Sequence, residues 1–153
     1  MYAELHCLSH YSFLRGASAP EELVNRAIHC GYHALAITDE CSLAGVVKAH
    51  VAAKEHNLKL IIGSELTLTE GIRLVALVPD RKAYGELSGL ISRARRRSGK
   101  GEYIVRLRDV IFHLKRCLLI LLPDDTDNQS VHLQQLAKRC KGCLLYTSDA
   151  ADE

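Results

Sequence analysis

The sequence predicts an α/β domain organised around a mainly parallel sheet, and three observations carry that reading. Short apolar runs of strand length alternate with helical stretches, the pattern of successive β/α units. At 153 residues, with 48% hydrophobic and 25% charged residues, the chain has the composition of one ordinary globular domain. Such a chain buries roughly 70% of its unfolded surface, enough for a core without disulfide or metal staples. The longest uninterrupted apolar run, residues 117–122, is strand-sized and far short of the ~20 residues of a membrane span.

Taken in order, a first strand fits residues 3–8. The first helix has the clearest start signal. Ser18 and Glu21 stand at capping-box spacing, Pro20 falls in the first turn, and Leu23, Val24, Ala27 and Ile28 supply an apolar face. Gly31 suits the left-handed position just past the helix end. A strand over residues 33–38 then delivers Asp39 and Glu40 at its C-terminal end. A second helix fits residues 42–56, with Val46, Val47, Ala49 and Ala53 as buried candidates and Asn57 as its stop. A third strand, residues 58–62, runs into Gly63, Ser64 and Glu65; residues 66–68 continue extended, and Glu70-Gly71 reads as a turn into a strand over 73–78. A helix over 80–97 places Tyr84, Leu87, Leu90, Ile91 and Ala94 at helical spacing, and the Ser-Gly-Lys-Gly run at 98–101 breaks it. A short helix near 107–113, a strand at 117–122 and a last helix over 128–141 complete the pattern.

Charge is distributed unevenly. The chain carries a net +2, but residues 93–116 hold nine Lys and Arg against Glu102 and Asp109, leaving the remainder acidic. Arg93, Arg95, Arg96, Arg97 and Lys100 are the candidates for a phosphate or interdomain contact; a solvated helix end is the plainer alternative. The opening residues lack the basic and apolar regions of a secretory signal, so the six cysteines are expected as reduced thiols in the cytoplasm. The single Cys140-Lys141-Gly142-Cys143 motif has no second pair to complete a zinc site. Residues 144–153 resemble translated adapter sequence and are expected to be a non-native tail.

In a parallel β/α arrangement, reactive side chains gather where strands end. His6 and His10 near the first strand, Asp39 and Glu40 after the second, and Glu65 after the third all fall there. Imidazole and carboxylate ligands suit zinc, manganese or iron, and a metal cluster activates water and polarises phosphoryl oxygens. The competing structural use is capping: Asp39 is placed to cap a helix starting near Ser42. His29, His33, His50 and His56 are expected on surfaces or strand edges. No phosphate-binding glycine loop and no Gly-x-Ser-x-Gly elbow is present.

The run from Ala3 through His6, His10 and Arg15 to Ser18 resembles the opening of the polymerase-and-histidinol-phosphatase (PHP) domain of bacterial DNA polymerase III α subunits. So do Leu35-Ala36-Ile37-Thr38-Asp39, Ser42-Leu43-Ala44-Gly45-Val46-Val47 and Ile62-Gly63-Ser64-Glu65-Leu66. The stretch from Leu90 to Arg97, followed by Lys100-Gly101-Glu102-Tyr103, resembles the error-prone branch of that family. The resemblance covers residues 1–143 and implies a truncated, distorted β/α barrel of TIM-like type, with about half of the barrel present and an apolar sheet edge where further strands would pair. It implies a C-family DNA-directed DNA polymerase, acting in damage-tolerant synthesis and DNA repair. The polymerase active site and its Mg2+ belong to a palm domain outside this chain. Template-primer DNA, dNTPs, a sliding clamp and companion mutagenesis proteins are the implied partners, with no membrane.

The family's metal pattern lies over these residues unevenly. His6 matches the first histidine of a His-x-His opening, with Leu8 at the second position. Arg15 stands at an often acidic position, Glu40 at a histidine position, and Arg73 where a further histidine is expected; Glu65 matches the bridging glutamate. His6 and Glu65 therefore remain as metal candidates, Glu40 is a possible oxygen substitute and His10 a possible compensating ligand. Guanidinium groups repel a dication, so Zn2+ or Mn2+ is not expected here, and Arg15 or Arg73 is expected to pair with Glu65, Asp39 or Glu40 instead. The expected role is a non-catalytic scaffold with an eroded metal site. The alternative is an active metal-dependent phosphoesterase or 3′–5′ exonuclease.

Overall fold

The computed structural model describes residues 2–122, Leu136, Lys138 and the backbone of residues 144–146. Four helices and six strands follow one another as β1 (Ala3–Glu4), α1 (Pro20–His29), β2 (Ala34–Ile37), α2 (Val46–Glu55), β3 (Lys59–Thr67), β4 (Arg73–Val78), α3 (Arg81–Arg96), α4 (Leu107–His113), β5 (Leu118–Leu122) and β6 (Leu144–Tyr146). The strands form one sheet in sequence order, β1 to β6.

The sheet is only partly parallel. β1, β2 and β3 pair in parallel, β4 is antiparallel to both β3 and β5, and β5 pairs in parallel with β6. The five-residue connection between β3 and β4 is too short for a parallel crossover, so the turn at Glu70-Gly71 makes a hairpin. β3 also runs unbroken through Gly63, Ser64 and Glu65 rather than ending at residue 62, because β4 pairs with it as far as Thr67.

Other boundaries moved for local reasons. β1 stops at Glu4, whose carboxylate accepts from His6 N, and Cys7 continues beside β2 by exchanging hydrogen bonds with Thr38. The cap of α1 is Ala19, not Ser18: the residue before Pro20 must be extended, and Glu22 rather than Glu21 reaches back to Ala19 N at 2.8 Å. α2 starts four residues later than residue 42, after a turn in which Cys41 takes φ +45° and Ser42 N donates to Ser64 Oγ. Val47 is 72% exposed on it, while Val46, Ala49 and Ala53 are buried. The helix ends were legible. Gly31 at φ +71° closes α1, with Tyr32 N bonded to Ala27 O, and Asn57 at φ +55° closes α2 in the same way. The expected last helix over 128–141 and the Cys140–Cys143 motif lie outside the described residues, apart from Leu136 and Lys138, which are helical.

Alternation along the strands divides the sheet into two faces. Leu35 and Ile37 pack under α1 and α2 with Val24, Ala27, Ala49 and Ala53. Leu66, Leu74, Ala76, Leu119 and Leu121 pack under α3 and α4 with Leu87, Leu90, Ala94 and Val110. The opposite face gathers Ala36, Ile61, Val75, Leu77 and Ile120. Glu65 and Arg73 belong to this second face by register, since Glu65 pairs with Val75, two residues from Arg73. An apolar floor with charged residues towards one end of the strands therefore defines where the site can form.

Candidate functional site: an ion-pair hub at the strand ends

Glu65 is fully buried and sits at the centre of the site. Its Oε2 meets His6 Nε2 at 2.7 Å and Arg15 Nη2 at 3.2 Å; its Oε1 meets Arg15 Nη1 at 2.8 Å and faces Arg73 Nε at 3.6 Å. A carboxylate offers about four lone-pair positions; His6 and Arg15 take three by hydrogen bonds, and Arg73 stands at ion-pair distance. Burial alone would raise the Glu65 pKa, but the hydrogen bonds from His6 and Arg15 overcome it and hold the carboxyl at about 2.

Arg15 links two carboxylates. Its Nη1 also donates to Glu40 Oε2 at 2.9 Å, and the two hydrogen-bonded partners, Glu65 first and Glu40 second, raise its pKa further above the usual guanidinium range. Backbone geometry brings the acids together: Glu40 forms a parallel bridge with Glu65, and Cys41 N donates to Glu65 O at 2.8 Å. The hub thus holds two carboxylates and two guanidinium groups, charge-balanced by its own residues.

Asp39 is beside this hub but not part of it. Buried behind the first loop, it accepts from Ser9 N (2.8 Å), Ser9 Oγ (2.7 Å) and Ser12 Oγ (2.7 Å), so it does not cap α2. Ser12 Oγ in turn accepts from Glu40 N at 2.9 Å. Gly16 closes the loop against Ser9, where a Cβ would fall 1.9 Å from the Ser9 carbonyl oxygen. That clamp is what aims Arg15 at Glu65. His10 is exposed, tilted against the Tyr11 ring, with its backbone N bonded to Ser18 O; it does not enter the hub.

Two hub residues were not placed there by the sequence, Tyr103 being unassigned and Arg95 being expected at a phosphate or interdomain contact. Tyr103 OH donates to Glu40 Oε1 at 2.8 Å and accepts from Thr67 N at 3.0 Å; burial, with the Glu40 carboxylate close by, pushes the phenol up to about 12. Arg95 lies over the Tyr103 ring, 5.2 Å from its centroid, and donates to the carbonyls of Glu40 and Cys41. Both lie in the stretches that resemble the error-prone branch, but only the fold brings residues 95 and 103 to residue 40. Of the other basic candidates, Arg97 is bonded to Asp109 at 2.6 Å, whereas Arg96 and Lys100 are exposed and Arg93 is half-buried. Cys7 and Cys41 are both pushed up to about 11, chiefly by burial, so neither is an activated thiolate at neutral pH. His29, His33, His50 and His56 are all exposed.

The family model described as "PHP domain" matches residues 4–139. The chain belongs to the PHP domain family. Curated relatives named "Error-prone DNA polymerase" match along most of it: 62% identity over 122 residues for Saccharophagus degradans, covering 80% of this chain and 12% of the relative. That of Pseudomonas aeruginosa is 51% identical over 135 residues, covering 88% of this chain and 13% of the relative. The chain therefore spans about an eighth of the length of these polymerases. Among solved structures, a putative metal-dependent phosphoesterase from Bifidobacterium adolescentis superposes with a TM-score of 0.70 at 18% identity, over 91% of this chain and 74% of that one. An amidohydrolase from Chromobacterium violaceum with bound sulfate and no metal gives 0.65 at 16% identity, over 94% and 74%. These likenesses show the distorted β/α fold.

A PHP domain implies a metal cluster at the strand ends, and this hub does not fit one. Both Glu65 oxygens are engaged by His6 and Arg15, and Arg15 places a permanent cation between Glu65 and Glu40. Among the described residues, no group of three His, Cys, Asp or Glu side chains is arranged to hold one ion. Of the pairings the sequence left open for Arg15 or Arg73 with Glu65, Asp39 or Glu40, the structure holds Arg15 on Glu65 and Glu40 and Arg73 on Glu65, and neither on Asp39.

Proposed function

We propose that this chain is the PHP part of an error-prone DNA polymerase, in which the strand-end hub ties the first loop to the sheet and does no metal chemistry. The observation that carries the reading is the two-point contact of Arg15 with buried Glu65. An ion pair in that position joins the first loop, β2, β3 and β4, the cross-linking that a metal cluster performs elsewhere, without ligands for water activation. Damage-tolerant DNA synthesis, its Mg2+, its template-primer DNA and dNTPs, and the sliding clamp and mutagenesis partners belong, in this proposal, to the longer polypeptide, acting in DNA repair in the cytoplasm. In this proposal residues 144–153 stand outside the functional unit, since the family match stops at residue 139, although Leu144–Tyr146 extend the sheet beside β5 as β6.

The competing reading is a metal-dependent phosphoesterase or 3′–5′ exonuclease, suggested by His6, Glu40 and Glu65 at the strand ends and by the phosphoesterase neighbour. Elemental analysis after equilibration with Zn2+ or Mn2+ and desalting separates the two. The scaffold reading expects substoichiometric metal, with no release of phosphate or mononucleotides. Stoichiometric metal lost on His6→Ala, or a metal-dependent activity abolished by Glu65→Ala, overturns it.

A further inference from the structure

Helix α3 breaks two local rules on the side it turns away from the sheet. It buries Ala83, Leu87, Leu90 and Ala94. At 100° per residue the opposite side carries Arg81, Lys82, Gly85, Gly89, Ser92, Arg93 and Arg96. Arg93 and Arg96 lie in the last turn, where the helix dipole favours cations, but Arg81 and Lys82 lie in the first turn, where it opposes them. Gly85 and Gly89 are the poorest helix formers short of proline, and no packing contact requires either. A Cβ on Gly85 would meet nothing within 4 Å, and one on Gly89 only the Arg93 guanidinium at 3.8 Å.

The cations of this face lack contact ion pairs, and the carboxylate of the Asp80 cap interacts with Lys82 at longer range. Among the described residues, Arg81, Lys82, Arg93 and Arg96 make no ion pair, and Arg93 Nε is buried with no hydrogen-bond partner. Glu86, the helix's acid, is turned to Arg116, accepting from its backbone N at 2.9 Å. Arg95 and Arg97 are bonded inward. What remains is two pairs of cations about 20 Å apart along the axis, separated by a flat strip of Gly85, Gly89 and Ser92. Both violations make sense together if something polyanionic approaches closely.

We propose that the outer face of α3 binds the phosphate backbone of duplex DNA, the cation pairs reaching phosphates on either side of a groove about 12 Å wide and the glycines admitting close approach. None of Arg81, Lys82, Arg93 and Arg96 is bonded to the Glu65 hub, which α3 reaches through Arg95 instead, and the proposal stands whether or not the scaffold reading does.

The test is fluorescence anisotropy of the full 153-residue chain with a labelled 20-base-pair duplex of mixed sequence, between 50 and 200 mM salt. Four phosphate contacts give a log–log salt slope of about −3 to −4. Lys82→Gln/Arg93→Gln/Arg96→Gln should remove most of that slope, and Gly85→Leu/Gly89→Leu should weaken binding at least tenfold at unchanged charge. Lys48→Gln/Lys54→Gln/Lys59→Gln, on α2 and β3, should leave both intact. If the first triple variant melts, Arg96→Gln alone should make the slope shallower by about 0.9. A wild-type slope shallower than −1, or equal losses in the two triple variants, overturns the proposal. So does a concentration-dependent dimer abolished by the Gly→Leu changes, which assigns the face to a second copy of the chain.

Discussion

Asp39 and Glu65 are buried carboxylates at the ends of neighbouring parallel strands, 1% and 0% exposed, yet they are satisfied by opposite means. Asp39 takes three neutral donors, all from Ser9 and Ser12 in one short loop. Glu65 accepts from His6 and Arg15 and is ion-paired with Arg73, three residues from separate segments. The first arrangement shapes a loop, and the second couples the loop to the sheet through charge. Because the two share Ser12 and Glu40, the neutral clamp positions the charged one.

The largest expected break in that contrast is Arg15→Leu. It leaves buried Glu65 beside Glu40 with only His6 and Arg73 to offset its charge, and breaking such a buried pair costs about 3–5 kcal/mol at most. At roughly 2–4 °C per kcal/mol for a chain of this size, the Tm should fall by about 10 °C in calorimetry. Arg15→Leu/Glu65→Leu should recover much of the loss, since removing both charges removes the penalty. Next is pH. The Glu65 carboxyl is held at about 2 in the fold against an ordinary 4.5, so its stabilisation is complete above about pH 4.5 and disappears as pH falls towards 2. Urea midpoints between pH 5.5 and 3 should fall by the equivalent of about 2 kcal/mol, with a shallower fall in Glu65→Gln.

On the neutral side, Ser12→Ala removes one donor from Asp39 and one acceptor from Glu40 N. A loss of about 1–3 kcal/mol by urea denaturation is expected, with little added pH dependence. The smallest effect belongs to Arg97→Ala. Arg97 is 38% exposed, and Asp109 keeps the Arg106 backbone donor at 3.1 Å, so about 1 kcal/mol or less should be lost. A loss from Arg97→Ala equal to that from Arg15→Leu would show that burial and two-point contact do not set Glu65 apart.

Elements with their own punctuation were legible in the chain. β4 and α4 match the expected residues, and α3 fits between its Asp80 cap and Arg97. Asp80 caps through its own side chain onto Ala83 N, a contact three residues long. Strand direction was not legible, because period-two alternation is the same in parallel and antiparallel pairs. In the site, His6, Arg15, Glu40, Glu65 and Arg73 converge as the motif overlay implied, while His10 turns to solvent and Asp39 serves the loop.

The amino-acid order by itself determined which strand-end side chains have the chemistry of metal ligands and which carry a permanent positive charge, since ionisation and ligand type belong to the residue. It also placed the helix stops at Gly31 and Asn57, where a local backbone preference suffices. The tertiary structure decided who partners whom. Tyr103 and Arg95 reach Glu40 across more than fifty positions, and Glu65 finds two donors and an ion-pair partner from distant segments. Such contacts depend on how the sheet curls and which loops cross its edge, and no short stretch of sequence encodes that.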